Sequence, residues 1–452
     1  LLVVLTACKA VRSVPASTPP GATSSSWVLA VGSPGPVWLA SDWLRAHGVD
    51  ASLAPEKVSV QRGGRQVPYL VLEQPEGPGI LFFATELPSR YASWTSYRLD
   101  VGQEPGQIIE APGATIPASS DSHSMAVSDA IQDSMWMAVW REHDLQYRPQ
   151  IPASEPWFWE PIYSQARITH TLLLTEAISG PITLTVRLAG RRPLAGTDLP
   201  PTIWWEGKQV GAWRWDGPEA QSWPAELSYN VGGQGHPLAI ELTGPPDTPV
   251  SRIWLDGYGA TFRQPLVLTG PGLWWTAETD EAVIAGIEGA HLFDVTDPAA
   301  PLHLGIVEGE RILTQKGHRY WGGFPWLASS PDQSRPLTAM DGEALEAVDY
   351  LIIAPEPFWK ALEPLEEFHR GQGLNVARVS PTQVYDTYGD GRPDPAAIRS
   401  MVRQLHKGGH LRYLLLVGDA SSRSNGQTDA DDGQLIVTDL VPTTHLHETP
   451  SD

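Results

Sequence analysis

The sequence predicts a multidomain protein. β-rich N-terminal domains of β-sandwich or jelly-roll-like character are followed by a truncated α/β domain built on a parallel sheet. Three observations carry this. The chain has 452 residues, more than one ordinary domain holds, and suggests about 3 units. Its 42 Gly, 42 Pro and 19 Trp fit many turns and short strands. Near residue 348 the texture changes, and continuous apolar runs separated by helical patterns replace alternating ones, as in a parallel sheet covered on both faces.

The totals also exclude partners and chemistries. Lys and Arg number 31 against 52 Asp and Glu, a net charge of -21. Such a surface repels phosphate backbones, so nucleic acid is not expected as a partner. The single cysteine, Cys8, leaves no intramolecular disulfide, no cysteine-rich zinc site and no thiolate nucleophile beyond residue 8. The chain opens on Leu1 and closes on Asp452 just after a polar loop, and both ends are read as truncated.

Residues 1–8, "LLVVLTAC", are apolar but too short to span a bilayer. They read as the end of a signal peptide, and Leu5-Thr6-Ala7-Cys8 resembles the bacterial lipobox, with Cys8 as the lipid attachment site. A chance match is the competing reading. The Pro/Ser/Thr-rich linker at 9–26 suits a flexible tether. The expected protein is therefore exported and anchored in the bacterial envelope by acyl chains.

Residues 27–105 form a small β domain. Val58, Val60, Val67, Tyr69 and Val71 alternate around Gly63-Gly64, a hairpin whose turn needs positive φ, and "SDWLRAHGV" at 41–49 is a short turn or helix. Residues 106–266 make the sandwich, less regular to about 145. Strands at 167–176 and 182–190 follow, then "PTIWWEGKQVGAWRW" and "PLAIELTG", and "SRIWLDGYGATF" at 251–262 closes the layer. Trp204, Trp205, Trp213, Trp215 and Trp254 fill the core and edges of this sandwich, or else offer flat faces to sugars. Residues 267–345 form a third β unit, with 317–336 as loop and linker.

From 348 the pattern is strand–helix–strand–helix–strand. "DYLIIAP" is the first strand. Phe358, Leu362, Leu365 and Phe368 fall on one helical face, Pro364 kinks that helix or lies in its first turn, and Gly371 or Gly373 ends it. "LNVARVS" is the second strand. Asp394-Pro395 is an N-cap with proline at the first helical position, and Ile398, Met401, Val402 and Leu405 face one way. "YLLLVGD" is the third strand, and ligands of such sheets gather beyond its carboxyl end, at Gly418-Asp419.

"YLIIAPEPFWKALEPLEEFHRGQGLNVARV", "VYDTYGDGRPDPAAIRSMV", "YLLLVGDAS" and "VPTTHLHETPSD" resemble, in order, the opening of the gingipain-type cysteine peptidase domain. "HLFDVTDPAAPLHL" at 291–304 is similar to the β regions that precede it in secreted relatives, among them the sortase-like peptidases of type IX secretion. The resemblance implies a caspase-like fold for 348–452, protein or peptide substrates and a His–Cys dyad. In relatives the dyad follows the segment reached here, as a His-Gly closing one strand and a Cys closing the next. His445 and His447 lie in a polar loop without that glycine, and Cys8 is at the opposite end, so no catalytic residue transfers onto this chain. The expectation is an inactive fragment of a cysteine endopeptidase. The alternative is a non-enzymatic surface adhesion or carbohydrate-binding protein on a degenerate scaffold.

Asp419 and Asp452 are candidates for the floor of the site, although Asp419 fits a turn cap equally well. Asp429, Asp431, Asp432 and Asp439 form an acidic loop that is either solvated or a structural calcium site, without EF-hand spacing. Asp386 and Asp390 are read in the same two ways. No HExxH pair and no G-x-S-x-G elbow occurs, so neither zinc nor serine hydrolysis is supported, and no cofactor is expected.

Overall fold

The computed structural model describes residues 26–49, 57–85, 91–92, 94–102, 106–110, 134–148, 151, 157–163, 166–174, 177–190, 201–212, 221–229, 236–242, 252–338, 340, 345–418, 436–437, 439–441 and 449–451. The chain folds as two compact units, one comprising Leu1–Ser120, Leu268–Glu281 and Gly286–Asp439, the other Asp121–Val267, Ala282–Ala285 and Leu440–Asp452.

The first unit begins with two antiparallel sheets over one core. One sheet runs Gln333–Pro336, Ser26–Val31, Thr95–Val101, Val58–Arg62, Arg65–Gln66; the other runs Gly35–Leu39, Gly79–Ala84, Tyr69–Leu72. Leu29, Val58, Val60, Ile80, Phe82, Tyr97 and Leu99 fill the space between them. The expected hairpin forms at Gly63 and Gly64, whose φ values of 58° and 68° lie where a side chain is strained. Helix α1 spans Ser41–Ala46 and buries Leu44.

A further antiparallel sheet has the order Gly272–Thr276, Arg319–Gly323, His291–Asp294, Leu302–Ile306. Here the expectation of loop and linker at 317–336 is corrected. Arg319–Gly323 is an interior strand of this sheet, and Gln333–Pro336 pairs with Ser26–Val31. Glycine and proline signal turns, but Gly322 and Gly323 serve close packing instead. A Cβ on Gly323 would lie 2.4 Å from the Pro271 carbonyl oxygen. This sheet shares a core with the opening one, where Trp38, Leu70, Leu81 and Phe83 meet Phe293, Val295 and Trp321.

The unit ends in a parallel sheet of order Val376–Val379, Tyr350–Ile353, Tyr413–Leu416. Helix α2 (Trp359–Gly371) packs on one face, with Leu362 against Ile352 and Leu415. Helices α3 (Pro381–Tyr388) and α4 (Pro395–Lys407) pack on the other, with Val384, Ile398 and Met401 against Leu351 and Ile353. The Asp394 carboxylate caps α4 by accepting the Ala396 N–H at 2.7 Å. Pro364 lies inside α2, past its first turn. Phe368 at the far end of that face is exposed, and the buried residues of the helix are Leu362 and Glu366.

The second unit is a sandwich. One sheet has the order Glu160–Tyr163, Arg252–Pro265, Gly180–Gly190, Gln221–Tyr229, and Ser134–Glu142 also pairs with Arg252–Pro265. The facing sheet has the order Arg167–Leu172, His236–Leu242, Pro201–Trp205, Lys208–Ala212. Alternating residues of both meet in one core, including Leu184, Val186, Ile203 and Ile240. The segment 251–262 does not close the layer as expected. It belongs to the strand Arg252–Pro265, which has neighbours on both sides, because its length and its small residues Gly257 and Gly259 suit a centre. Trp205 and Trp254 are core residues, Trp204 is half-buried beneath Arg167, and Trp213 and Trp215 lie outside the described residues.

One buried pair in the first unit makes stability depend on pH. His291 Nδ1 lies 3.1 Å from His303 Nε2, and both rings are buried. Burial, with the neighbouring His291 adding to it, pushes His303 down to about 4. Above pH ~6.5 both rings are neutral whether folded or unfolded, and no stability is at stake. Between ~6.5 and ~4 the unfolded chain takes a proton that the folded one refuses, so stability falls with pH. Urea denaturation at pH 7.5 and pH 4.5 is expected to show a loss of about 2 kcal/mol at the lower pH from this ring, and His303→Gln a shallower slope.

Candidate functional site

The carboxyl end of the parallel sheet is the place where chemistry gathers in such folds. Three chain segments leave it side by side. The Ala354 N–H donates to the Val379 carbonyl at 3.0 Å, and the Val417 N–H donates to the Ile353 carbonyl at 2.9 Å, so the strand ends are held in register beyond their last ladder bonds. The Trp359 indole N–H donates to the Ala354 carbonyl at 2.8 Å and braces the first turn.

Arg378 holds that indole from the next strand. Its guanidinium lies 4.7 Å from the ring centroid and donates to the Trp359 carbonyl at 2.7 Å. The same Arg378 approaches the buried Glu366 carboxylate at 2.5 Å, while Arg370 donates to its other oxygen at 2.8 Å. The Arg378 approach is ionic rather than an aligned hydrogen bond, since that Glu366 oxygen accepts no well-directed N–H. A buried carboxylate between two guanidinium groups satisfies the rule that buried charge is paired.

The second strand runs straight into α3. Ser380 caps that helix, accepting the Gln383 N–H at 3.2 Å, and the Gln383 side chain accepts the Ser380 N–H at 2.8 Å. Pro381 takes the first helical position. The Ser380-x-x-Gln383 spacing is a capping-box signal that sequence reasoning passed over. Tyr385 on α3 receives the Val437 N–H at 3.3 Å, and burial pushes its phenol up to about 12, so it stays neutral.

Asp386 overturns its reading as a solvated or calcium-binding loop residue. It lies in α3 with a fully buried side chain, and Arg335 grips both its oxygens at 2.7 and 2.5 Å. The Thr338 N–H adds a bond of 2.8 Å. A carboxylate so committed leaves no oxygen for a cation. Asp390, at φ 52°, accepts the Gly63 N–H at 2.6 Å and so ties the turn after α3 to the first hairpin.

Cys8, Asp419, Asp429, Asp431, Asp432, Asp452, His445 and His447 lie outside the described residues, as does the Asp439 side chain. Among the described residues, the turns directly after the three strands (Ala354-Pro355, Ser380-Pro381, Val417-Gly418) carry neither thiol nor imidazole, and no group of three His, Cys, Asp or Glu is placed to hold a metal. What this edge offers is a braced floor of backbone.

Residues 343–452 match the model of peptidase family C25. This is the gingipain family, and the resemblance read from the sequence is thereby shown on that segment. A crystal structure of dimeric latent PorU from Porphyromonas gingivalis is similar over 95% of this chain and 45% of that one, with a TM-score of 0.69 and 16% identity. At that identity the likeness shows the fold, a strand-rich multidomain one, and this chain spans 45% of that relative's length. A family 35 carbohydrate-binding module from Clostridium thermocellum is similar over 28% of this chain and 91% of that one, at 11% identity and a TM-score of 0.18. The module CBM36 in complex with calcium and xylotriose gives 18% identity over 27% and 97%, at a TM-score of 0.19. Scores this low carry no argument. No curated protein matches the chain.

Two substitutions test how the C25 segment is held. Arg335→Met leaves the Asp386 carboxylate buried without its partner and is expected to cost about 3 kcal/mol by urea denaturation, with Arg335→Met/Asp386→Leu recovering most of it. Ser380→Ala is expected to cost about 1 kcal/mol in the same measurement.

Proposed function

We propose that this chain supplies the β scaffold and the first three strands of the catalytic sheet of an exported cysteine endopeptidase of the gingipain type. Its His–Cys dyad is contributed by sequence following residue 452. The observation that carries the reading is the parallel sheet of order Val376–Val379, Tyr350–Ile353, Tyr413–Leu416, helix-covered on both faces, within the segment that matches family C25.

In this reading the thiolate attacks a peptide carbonyl, and histidine ionises the thiol and protonates the leaving amine. Backbone N–H groups stabilise the oxyanion. Asp419 and Asp452 border the floor, and proteins or peptides are the substrates. The braces described above hold the strand ends to the small tolerance that such catalysis needs. Export and lipid anchoring through Cys8 rest on the lipobox-like "LTAC", and among the described residues no helix is long and apolar enough to cross a membrane.

The test is to read the coding sequence after the Asp452 codon and assay the complete product. A His-Gly closing one strand and a Cys closing the next is expected. Cys→Ala there should lower peptide cleavage by roughly 10⁴-fold or more. A stop codon, or strands lacking those residues, would overturn the reading and leave a surface-binding protein on a protease scaffold.

A further inference from the structure

The β part of the first unit contains a cavity of about 190 Å³ lined by none of the residues of the parallel sheet. Trp321, 1% exposed, forms its floor, and the half-buried Trp274 forms a wall. Asp332 and the serines Ser33, Ser329 and Ser330 supply its polar side. All four are exposed, and Asp332 and Ser329 sit on backbone that is already fixed. Asp332 Oδ2 accepts the Gly32 N–H at 2.5 Å, the Asp332 N–H donates to the Ala30 carbonyl at 2.9 Å, and the Ser329 carbonyl accepts the Trp38 N–H at 2.9 Å. Pre-organised polar groups beside an aromatic wall are the ordinary make-up of a small-molecule site.

The chemistry of the lining narrows the ligand. A carboxylate in a chain of net charge -21 disfavours an anion. A cation is disfavoured because the Arg319 guanidinium already lies 5.0 Å from the Trp274 ring centroid, so a second positive charge on that indole would meet a like charge. A purely aliphatic group would strip water from one carboxylate and three hydroxyls without replacing their hydrogen bonds. A neutral ring with one apolar face and several hydroxyls meets every condition: its C–H face packs on the indole, and its hydroxyls donate to the carboxylate and exchange bonds with the serines. Sites for drug-sized ligands run from roughly 300 to 1,000 Å³, so this cavity takes one such ring.

We propose that this pocket is a binding subsite for a single neutral pyranose residue, as a free sugar or as the end of a glycan. It stands independently of the peptidase reading. With about a dozen heavy atoms, such a ligand is expected to bind with a dissociation constant on the order of 1 mM.

The intact chain is titrated with methyl glucoside, methyl galactoside, methyl mannoside and N-acetylglucosamine, followed by tryptophan fluorescence and saturation-transfer NMR. At least one sugar should give a saturable response. Asp332→Asn keeps an acceptor for the Gly32 N–H while removing the charge, and should weaken that sugar about fivefold. Trp274→Phe shrinks the aromatic wall and should weaken it about tenfold. Melting curves show whether each variant is folded; if Trp274→Phe is not, Asp332→Asn decides alone. Absence of a saturable response to all four sugars up to roughly 50 mM, far above the expected constant, would overturn the proposal. So would a response untouched in the folded variants. Saturable, Asp332-dependent binding of arginine methyl ester in place of a sugar would overturn it in favour of a cationic side chain.

Discussion

The Asp386 carboxylate has no exposed surface, and the Arg335 guanidinium that neutralises it comes from 51 residues earlier. Much of the first unit follows from this pairing. An ion without solvent must find a counter-ion or shift to its neutral form, so α3 has to lie where Arg335 can reach it. Arg335 is itself placed by the strand Gln333–Pro336, which pairs with Ser26–Val31. The first described strand of the chain and the helix that follows Val376–Val379 are thus held to one geometry. The Asp390–Gly63 bond repeats the link at a second point, between the turn after α3 and the first hairpin. Because α3 is capped by Ser380, on the carboxyl edge of the parallel sheet, the link acts on the same edge that the peptidase reading requires to be rigid.

A shared hydrophobic core supports this arrangement. Phe83 stands edge-on to Trp274, Phe293 and Trp321, which lie about two hundred residues later in the chain. The opening β segment and the sheet beginning at Gly272 are therefore one packed body in the fold, although the whole sandwich of the second unit intervenes in sequence. Aromatic rings bring large buried area and a preferred geometry, which suits residues that must join distant segments.

Several elements were legible because their signals are short-range. Gly63-Gly64 marks its hairpin through the φ values that glycine tolerates. Asp394-Pro395 marks the start of α4 through one carboxylate and a missing N–H. The continuous apolar runs at 350–353 and 413–416 mark strands of a parallel sheet with helices on both faces, although Tyr413 is exposed. Other elements gave misleading signals. Arg319–Gly323 looked like a loop for its glycines, which are there to let Trp321 and the neighbouring backbone approach closely. Phe368 falls on an apolar helical face yet is exposed, while Glu366 holds the interior through Arg370 and Arg378.

Local chemistry in the chain was enough to establish its β-rich character, the change to a parallel sheet near residue 348 and the likeness of that last segment to peptidase family C25. Periodicity, caps and turn residues act within a few positions, and a family's ordered motifs are carried in linear order. Which charges are partners, which strand sits at a centre and which tryptophans line a cavity were set by the folded molecule. Those outcomes depend on groups brought together across dozens to hundreds of residues, where desolvation and packing select a partner that no local pattern encodes.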